Sequence, residues 1–329
     1  MSLLVSRSLL HLVRQSAPRL VPAASHRDLS QQTPLSDMVT NITRQLEEAG
    51  VPEPRLSAEY LVSKSLSTGQ AAAPVLRSDW TSHPAPSLTE EELARLTKLV
   101  QCRLSHVPLQ YIVGNWDFCN LTLLCRPPVF IPRPETEQLV SLVLDHLPLQ
   151  EKELQLLEVG PGTGAVSLAV LKEAGSRVSS ITCIERSKAA QQLTRDNAAL
   201  LGLEDRIVLI PGRVGGDEDL EGLEEEYDLI FSNPPYILRK DLAKLAPQIF
   251  LYEDLRALDG GAEGLDVILA ILELANTRLR SDGRVLLEVD PCHPHILPEK
   301  LENKNSKFYV EKTFKDFAGK DRFMVLKKC

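Results

Sequence analysis

At 329 residues, with 43% hydrophobic and 25% charged side chains, the chain has the makeup of a globular protein long enough for two domains. A formal charge of −8 argues against broad nucleic-acid binding, and no apolar stretch reaches the roughly 18 to 20 residues of a membrane span. The six cysteines are scattered without a CxxC pair, so neither a zinc site nor a disulfide framework is indicated.

Residues 1–27 carry Arg7, Arg14, Arg19 and Arg27, several serines and no acid, with Leu3, Leu10 and Val13 on one helical face. That is the composition of a mitochondrial transit peptide, which places the mature protein in the matrix. A helical domain is expected over 28–110. Val39, Ile42, Leu46 and Ala49 share one face of its first helix, with Ser36 as N-cap and Gly50 as stop. A second helix is expected over 57–66, then a loop rich in Ala, Ser and Pro (67–87). Thr89 and Glu92 next form a capping box for a helix through Leu104.

Residues 111–137 read as a hairpin and linker. Trp116-Asp117-Phe118 and the alternating Leu121, Leu123 and Cys125 suggest the hairpin. The connector Ile131-Pro132-Arg133-Pro134-Glu135-Thr136-Glu137 stiffens the entry to a helix over 137–147, with Thr136 or Glu135 serving its N-terminus. From 138 to 329 strands and helices alternate. Strands are expected at 154–159, 180–185, 207–210, 228–231 and 284–289, and helices at 165–174, 189–201 and 266–279. A closing pair at 308–313 and 322–326 has no helix between its members. The pattern predicts an α/β domain with a mostly parallel sheet and an antiparallel edge hairpin.

Glu158-Val159-Gly160-Pro161-Gly162-Thr163-Gly164 stands at the first strand-to-helix turn, where glycines let a ligand approach the backbone and a helix offers free N–H groups. The spacing is not GxGxxG. Glu158 would repel a phosphate but suits the ammonium and sulfonium of S-adenosylmethionine. Glu185 ends the second strand, 25 residues after Gly160, where a carboxylate can take both ribose hydroxyls. After the third strand, Arg213-Val214 occupies a place where many such enzymes have an acid for the adenine amino group.

Ser232-Asn233-Pro234-Pro235-Tyr236 follows the apolar run 227–231. Two prolines cannot continue a central strand, so the strand stops there and leaves an Asn amide, free carbonyls and an aromatic ring at its carboxyl end. Asn233 Oδ1 and the Pro234 carbonyl can accept two hydrogen bonds from one NH₂ group, with Tyr236 packed on the plane of the substrate. No His, Cys or Lys adjoins the tetrapeptide, so rate is expected from orientation and electrostatic support, not from a strong base. Cys183 reads as core. His293 and His295 read as surface residues in a Pro-rich loop.

Together these residues resemble the Rossmann-like, class I S-adenosylmethionine-dependent methyltransferases. They are most similar to the HemK/PrmC family, protein-(glutamine-N5) methyltransferases that modify peptide-chain release factors. The resemblance spans nearly all of 35–329. It rests on 103–114, Asp117-Phe118, the Pro-Arg-Pro-Glu-Thr-Glu connector, the Gly160 loop and Asn233-Pro234-Pro235-Tyr236. It implies S-adenosylmethionine as methyl donor, no metal, and the glutamine of a Gly-Gly-Gln loop as substrate. With the transit peptide, the implied partners are mitochondrial release factors, met by a monomer that holds neither membrane nor stable nucleic acid.

On this resemblance Asn233, Pro234 and Tyr236 are catalytic. Glu158, Gly160, Pro161, Gly162, Thr163, Gly164, Glu185, Val214 and Asn233 hold the cofactor, and Asn233, Pro234, Pro235, Tyr236 and Arg133 meet the substrate. The helical domain helps grip the release factor. Arg133 has a second reading, as an ion-pair partner of Glu135 or Glu137. Two other functions stay open. An adenine-N6 methyltransferase would stack a flipped base on Tyr236. A noncatalytic relative that has lost cofactor affinity has Arg213 in its favour.

Overall fold

The computed structural model describes residues 33–66, 88–148, 153–216, 220–303 and 306–329. The expected transit peptide at 1–27 and the loop at 67–87 lie outside them. The chain divides into two compact units. One comprises the described part of Met1–Asn115 with Pro247–Tyr252, and the other comprises Trp116–Ala246 with Glu253–Cys329.

In the first unit α1 (Leu35–Glu48) buries Leu35, Met38, Val39, Ile42 and Leu46, the spacing of a single helical face. It begins one residue before the expected cap. Pro34 precedes it without a side-chain cap, its carbonyl accepting the Asp37 and Met38 N–H groups at 3.0 Å, and Ser36 lies inside the first turn. α2 (Pro54–Leu66) and α3 (Glu90–Leu104) complete the bundle. α3 opens on the capping box read from the sequence. The Thr89 N–H donates to Glu92 Oε2 at 2.8 Å, and the Glu92 N–H to Thr89 Oγ1 at 3.3 Å. A short helix, α4 (Leu109–Val113), ends at Gly114 with φ +88°.

Arg103, buried at the end of α3, ties this unit together. It donates at 3.0 Å to Ser57 Oγ, to the Pro52 and Val107 carbonyls, and to Gln248 Oε1. Burial lowers its pKa to about 10. The Tyr252 hydroxyl donates to the Ser105 carbonyl at 2.8 Å. Residues 247–252 therefore belong to the helical unit, whereas the sequence pattern predicts one domain over 138–329.

A hairpin of β1 (Asn115–Phe118), whose first residue ends the first unit, and β2 (Leu121–Leu124) opens the second unit. Cys119 and Asn120, both at positive φ, make its two-residue turn. After α5 (Glu137–Asp145) come β3 (Leu156–Val159), α6 (Ala165–Ala174), β4 (Ile181–Glu185), α7 (Lys188–Leu201), β5 (Ile207–Pro211) and β6 (Tyr227–Ser232). Then follow α8 (Asp266–Arg278), β7 (Leu279–Glu288), α9 (His293–Asn303), β8 (Phe308–Lys315) and β9 (Asp321–Lys328).

The seven-stranded sheet has the order β5-β4-β3-β6-β7-β9-β8. β9 is antiparallel to both neighbours, and the other pairs are parallel. This is the class I methyltransferase sheet with the antiparallel edge that the sequence predicts. Central strands are buried on both faces, as parallel sheets require. Leu156, Leu229, Phe231, Leu286 and Phe323 pack beneath α5 and α6. Their neighbours Leu157, Ile230, Val285 and Leu287 pack beneath α8 and α9. The strand order reverses between β3 and β6, so the glycine loop after β3 and the Asn-Pro-Pro-Tyr segment after β6 open into one crevice.

His293 departs from its expected place. It begins α9, is fully buried, and its Nε2 lies 3.2 Å from the Glu263 carbonyl. Among the described residues no helix is long and apolar enough to cross a membrane, and no three His, Cys, Asp or Glu residues are grouped to hold a metal.

Candidate active site

A cavity of about 340 Å³ lies at the switch point. Its lining includes Glu158, Gly160, Pro161, Gly162 and Thr163 from the first turn, Glu185 from β4, Val214, and Asn233, Pro234, Pro235 and Tyr236. Two of the residues singled out from the sequence are not in its wall: Gly164 and Arg133.

The three glycines of the first turn all have positive φ, yet they serve different ends. A Cβ on Gly160 or Gly162 would meet nothing within 4 Å, so both expose bare backbone. A Cβ on Gly164 would lie 3.0 Å from Leu168 Cδ1 and Thr194 Cγ2. Gly164 therefore starts α6 at φ +83° and lets that helix pack closely against α7. Asn197 on α7 supports the loop by donating to the Thr163 carbonyl at 2.9 Å, and the Thr194 hydroxyl donates to the Gly162 carbonyl at 3.0 Å.

Glu185 is held in place by backbone donors. Gly162 N–H reaches Oε2 at 3.2 Å and Ser187 N–H reaches Oε1 at 2.8 Å. Burial raises its pKa, and these donors pull it back. Glu158 is almost wholly buried beneath α6, and Ser167 donates both its N–H (3.2 Å) and its hydroxyl to Oε2. Burial pushes its carboxyl up to about 7.

β6 is fastened to β3 by Ser232, whose hydroxyl donates to the Val159 carbonyl at 2.6 Å. Just beyond, Asn233 Nδ2 donates to Thr136 Oγ1 at 3.1 Å, while Oδ1 accepts from no donor among the described residues. Thr136 stands at the N-cap position of α5 but makes no side-chain cap: its oxygen accepts from Asn233, and its hydroxyl donates to Glu288 Oε2 at 2.7 Å. The Tyr236 hydroxyl donates to the other oxygen, Oε1, at 3.1 Å. Burial, with Glu288 alongside, holds the Tyr236 hydroxyl well above the usual tyrosine range.

Behind the tetrapeptide, Gly260 and Gly264 admit close contact. A Cβ on Gly260 would stand 2.8 Å from the Pro235 carbonyl oxygen, and one on Gly264 would stand 2.4 Å from that of Tyr236. Arg133 forms neither of its expected ion pairs. Its Nη2 lies 2.6 Å from Glu253 Oε1, and the Ile131 N–H donates to Oε2 at 3.3 Å, which locks the connector rather than lining the cleft.

Sequence reasoning missed Thr136 as a partner of Asn233, and it missed Glu253, Gly260, Gly264 and Glu288. One signal for Glu288 was present. Leu-Leu-Glu-Val occurs twice, at 156–159 before the glycine loop and at 286–289, placing an acid at the end of β3 and again at the end of β7.

Such a crevice, with bare glycine backbone on one side and a strand-ending Asn-Pro-Pro-Tyr on the other, defines the protein as a class I methyltransferase. Two family models match in succession, the PrmC N-terminal domain over residues 37–114 and the methyltransferase small domain over 120–275. The MTRF1L release factor glutamine methyltransferase of Homo sapiens is 39% identical over 302 residues, 89% of this chain and 87% of that protein. The release factor glutamine methyltransferase of Deinococcus radiodurans is 33% identical over 295 residues, 90% of this chain and 99% of its own. That of Mycolicibacterium smegmatis is 35% identical over 295 residues, covering 89% and 97%. The chain belongs to the HemK/PrmC family of release factor glutamine methyltransferases, as its motifs led one to expect, and it is an enzyme.

Proposed function

We propose that this enzyme transfers a methyl group from S-adenosylmethionine to the side-chain N5 of the glutamine in the Gly-Gly-Gln loop of a peptide-chain release factor. The observation that carries the proposal is the orientation of Asn233. With Nδ2 donated to Thr136, the amide has Oδ1 left to accept from an NH₂ group. The Pro234 carbonyl supplies the second acceptor and Tyr236 the plate against which the substrate amide lies.

The donor fits this cavity. Gly160 and Gly162 leave a backbone cradle open where side chains would intrude, Pro161 and Thr163 complete the turn, and Glu185 offers a held carboxylate to two ribose hydroxyls. Glu158 places its carboxyl near the ammonium, whose positive charge would favour the ionised form, and Val214 borders the adenine side. When bound, S-adenosylmethionine supplies an electrophilic methyl group. An amide nitrogen is a poor nucleophile because its lone pair is delocalised into the carbonyl. The chain's task is therefore to orient that nitrogen, an effect worth up to roughly 7 to 11 kcal/mol in favourable cases. The two acceptors also favour the positive charge that grows on nitrogen, and the proton leaves to water.

The helical unit helps grip the release factor. The arginine-bearing, acid-free first 27 residues support a mitochondrial matrix location, and with it mitochondrial release factors as partners of a monomeric enzyme. The test is direct: a Gly-Gly-Gln release factor and an adenine-containing oligonucleotide are each incubated with the enzyme and labelled S-adenosylmethionine. Mass spectrometry is expected to find one methyl group on the glutamine, and label on the oligonucleotide instead would overturn the proposal.

A further inference from the structure

Glu288 ends β7 and its carboxylate is 2% exposed. It takes two hydroxyl protons at once, from Thr136 at 2.7 Å and from Tyr236 at 3.1 Å. A hydroxyl that donates to a carboxylate has only lone pairs left for its other neighbour. The Asn233 group that meets Thr136 Oγ1 at 3.1 Å must therefore be the amide NH₂. Because the amide is planar, fixing Nδ2 also fixes Oδ1.

We infer that Glu288 is a positioning residue for methyl transfer. Acting through Thr136, it selects the one orientation of the Asn233 amide that presents an acceptor to the substrate, and through Tyr236 it steadies the aromatic plate. The inference rests on the proposed reading of Asn233 as the acceptor for a glutamine NH₂.

The chemistry of the position is specific. Both neighbours of Glu288 come to it as donors, so the residue there has to accept twice and donate nothing. A neutral amide of the same shape brings one acceptor and one donor. Placed at 288, it would donate to Thr136 Oγ1 or compete with the Tyr236 hydroxyl. In the first case the Thr136 hydroxyl would turn towards Asn233 and favour the flipped amide, which offers the substrate a donor against its own donor. Arg322, whose charge acts on Glu288, does not substitute for these bonds. Its guanidinium lies 5.9 Å from the centre of the Tyr236 ring and is engaged by Asp316 Oδ2 at 3.2 Å and by the Val289 carbonyl at 3.3 Å.

The experiment compares the full chain with Glu288→Gln, Thr136→Val, Thr136→Ser and the Thr136→Val/Glu288→Gln double variant. Readouts are kcat and KM on a Gly-Gly-Gln release factor, cofactor Kd by calorimetry, and the melting midpoint. Glu288→Gln and Thr136→Val are each expected to lower kcat on the order of ten- to a hundredfold, the scale set by one mispaired buried polar group. Cofactor Kd should be unchanged.

Thr136→Ser restores most of kcat. The double variant is no slower than the slower single, since both changes break one link. Wild-type kcat in Glu288→Gln, strictly multiplicative losses in the double variant, or equal impairment of Thr136→Ser and Thr136→Val would each overturn the inference. If Glu288→Gln does not fold, the Thr136 pair decides alone. A parent chain that leaves the glutamine unmethylated overturns the functional proposal and the inference together, whereas a methylating parent matched by its variants overturns the inference only.

Discussion

Replacing Glu158 by Gln is expected to stabilise the cofactor-free enzyme at alkaline pH and to leave it unchanged in acid. The carboxyl is 1% exposed beneath α6. Burial raises its pKa from an ordinary 4.5 to about 7, the two Ser167 donors hold it down, and Glu185 adds repulsion. Because the folded value is above the unfolded one, the contribution to stability is fully present below about 4.5 and is lost as pH rises through about 7. At about 1.4 kcal/mol per pH unit, the ionised carboxylate at pH 8 costs the fold about 3 kcal/mol. Gln is neutral throughout, and its oxygen can still accept from Ser167.

The difference in unfolding free energy between variant and parent should therefore climb from near zero at pH 4.5 to about 3 kcal/mol at pH 8. Urea unfolding followed by circular dichroism at fixed pH values, without cofactor, measures it. A difference that is flat with pH, or largest in acid, would refute the reasoning. If Glu158 meets the cofactor's ammonium as proposed, the same variant should also bind S-adenosylmethionine more weakly.

Asn233→Ala should lower kcat on a release-factor substrate by on the order of a hundredfold, and near-normal turnover would remove Asn233 from the mechanism. Gly264→Ala puts a methyl 2.4 Å from the Tyr236 carbonyl at φ +75°, so thermal melting should show a loss of about 1 to 3 kcal/mol together with reduced kcat. Gly162→Ala meets no neighbour but sits at φ +61°, so it should cost about 1 to 2 kcal/mol of stability from backbone strain while weakening cofactor binding in calorimetry. Arg133→Met leaves the buried Glu253 carboxylate without its cation and should cost about 3 kcal/mol in denaturant unfolding. Adding Glu253→Gln should recover much of that loss.

The parts of this enzyme that were legible in the sequence are those written in contiguous residues. An apolar strand broken by Asn-Pro-Pro-Tyr, a glycine turn before a helix, and Thr89 with Glu92 at a helix start each carry their cause within a few positions. What stayed hidden is non-local. Arg133 pairs with Glu253, 120 positions on, in preference to either acid within four residues. The 247–252 segment is tied to the helical unit by Gln248 on Arg103 and Tyr252 on Ser105, contacts 145 and 147 positions apart that no local pattern shows. The packing role of Gly164 stayed hidden because sequence shows a glycine's freedom but not what its missing Cβ would strike. Thr136 stands at the cap position, yet its backbone is already helical and its hydroxyl oxygen accepts from Asn233 Nδ2, a partner 97 positions on, instead of from the helix N–H groups.

The same network bears on where a base could be. Three ionisable side chains are the nearest to Asn233 along its hydrogen bonds: Glu288, Tyr236 and, beyond the tyrosine ring, Arg322. Tyr236 is held protonated by burial and by Glu288, so it does not accept a proton near neutrality. Glu288 has its oxygens turned to two hydroxyls, and burial raises its pKa above the ordinary carboxylate value, with Arg322 opposing the rise and Glu135 adding to it. Deprotonated Glu288 is the form that accepts from both hydroxyls. With cofactor and substrate saturating, kcat should therefore fall as pH drops through this raised pKa and stay level above it. In Glu288→Gln the acid limb should vanish at a uniformly low rate. Single-turnover methylation measured from mildly acidic to alkaline pH decides. A rate that keeps rising with slope one above neutrality would place a base beside the substrate nitrogen and end the account in which orientation and electrostatic support, without a base, prepare it.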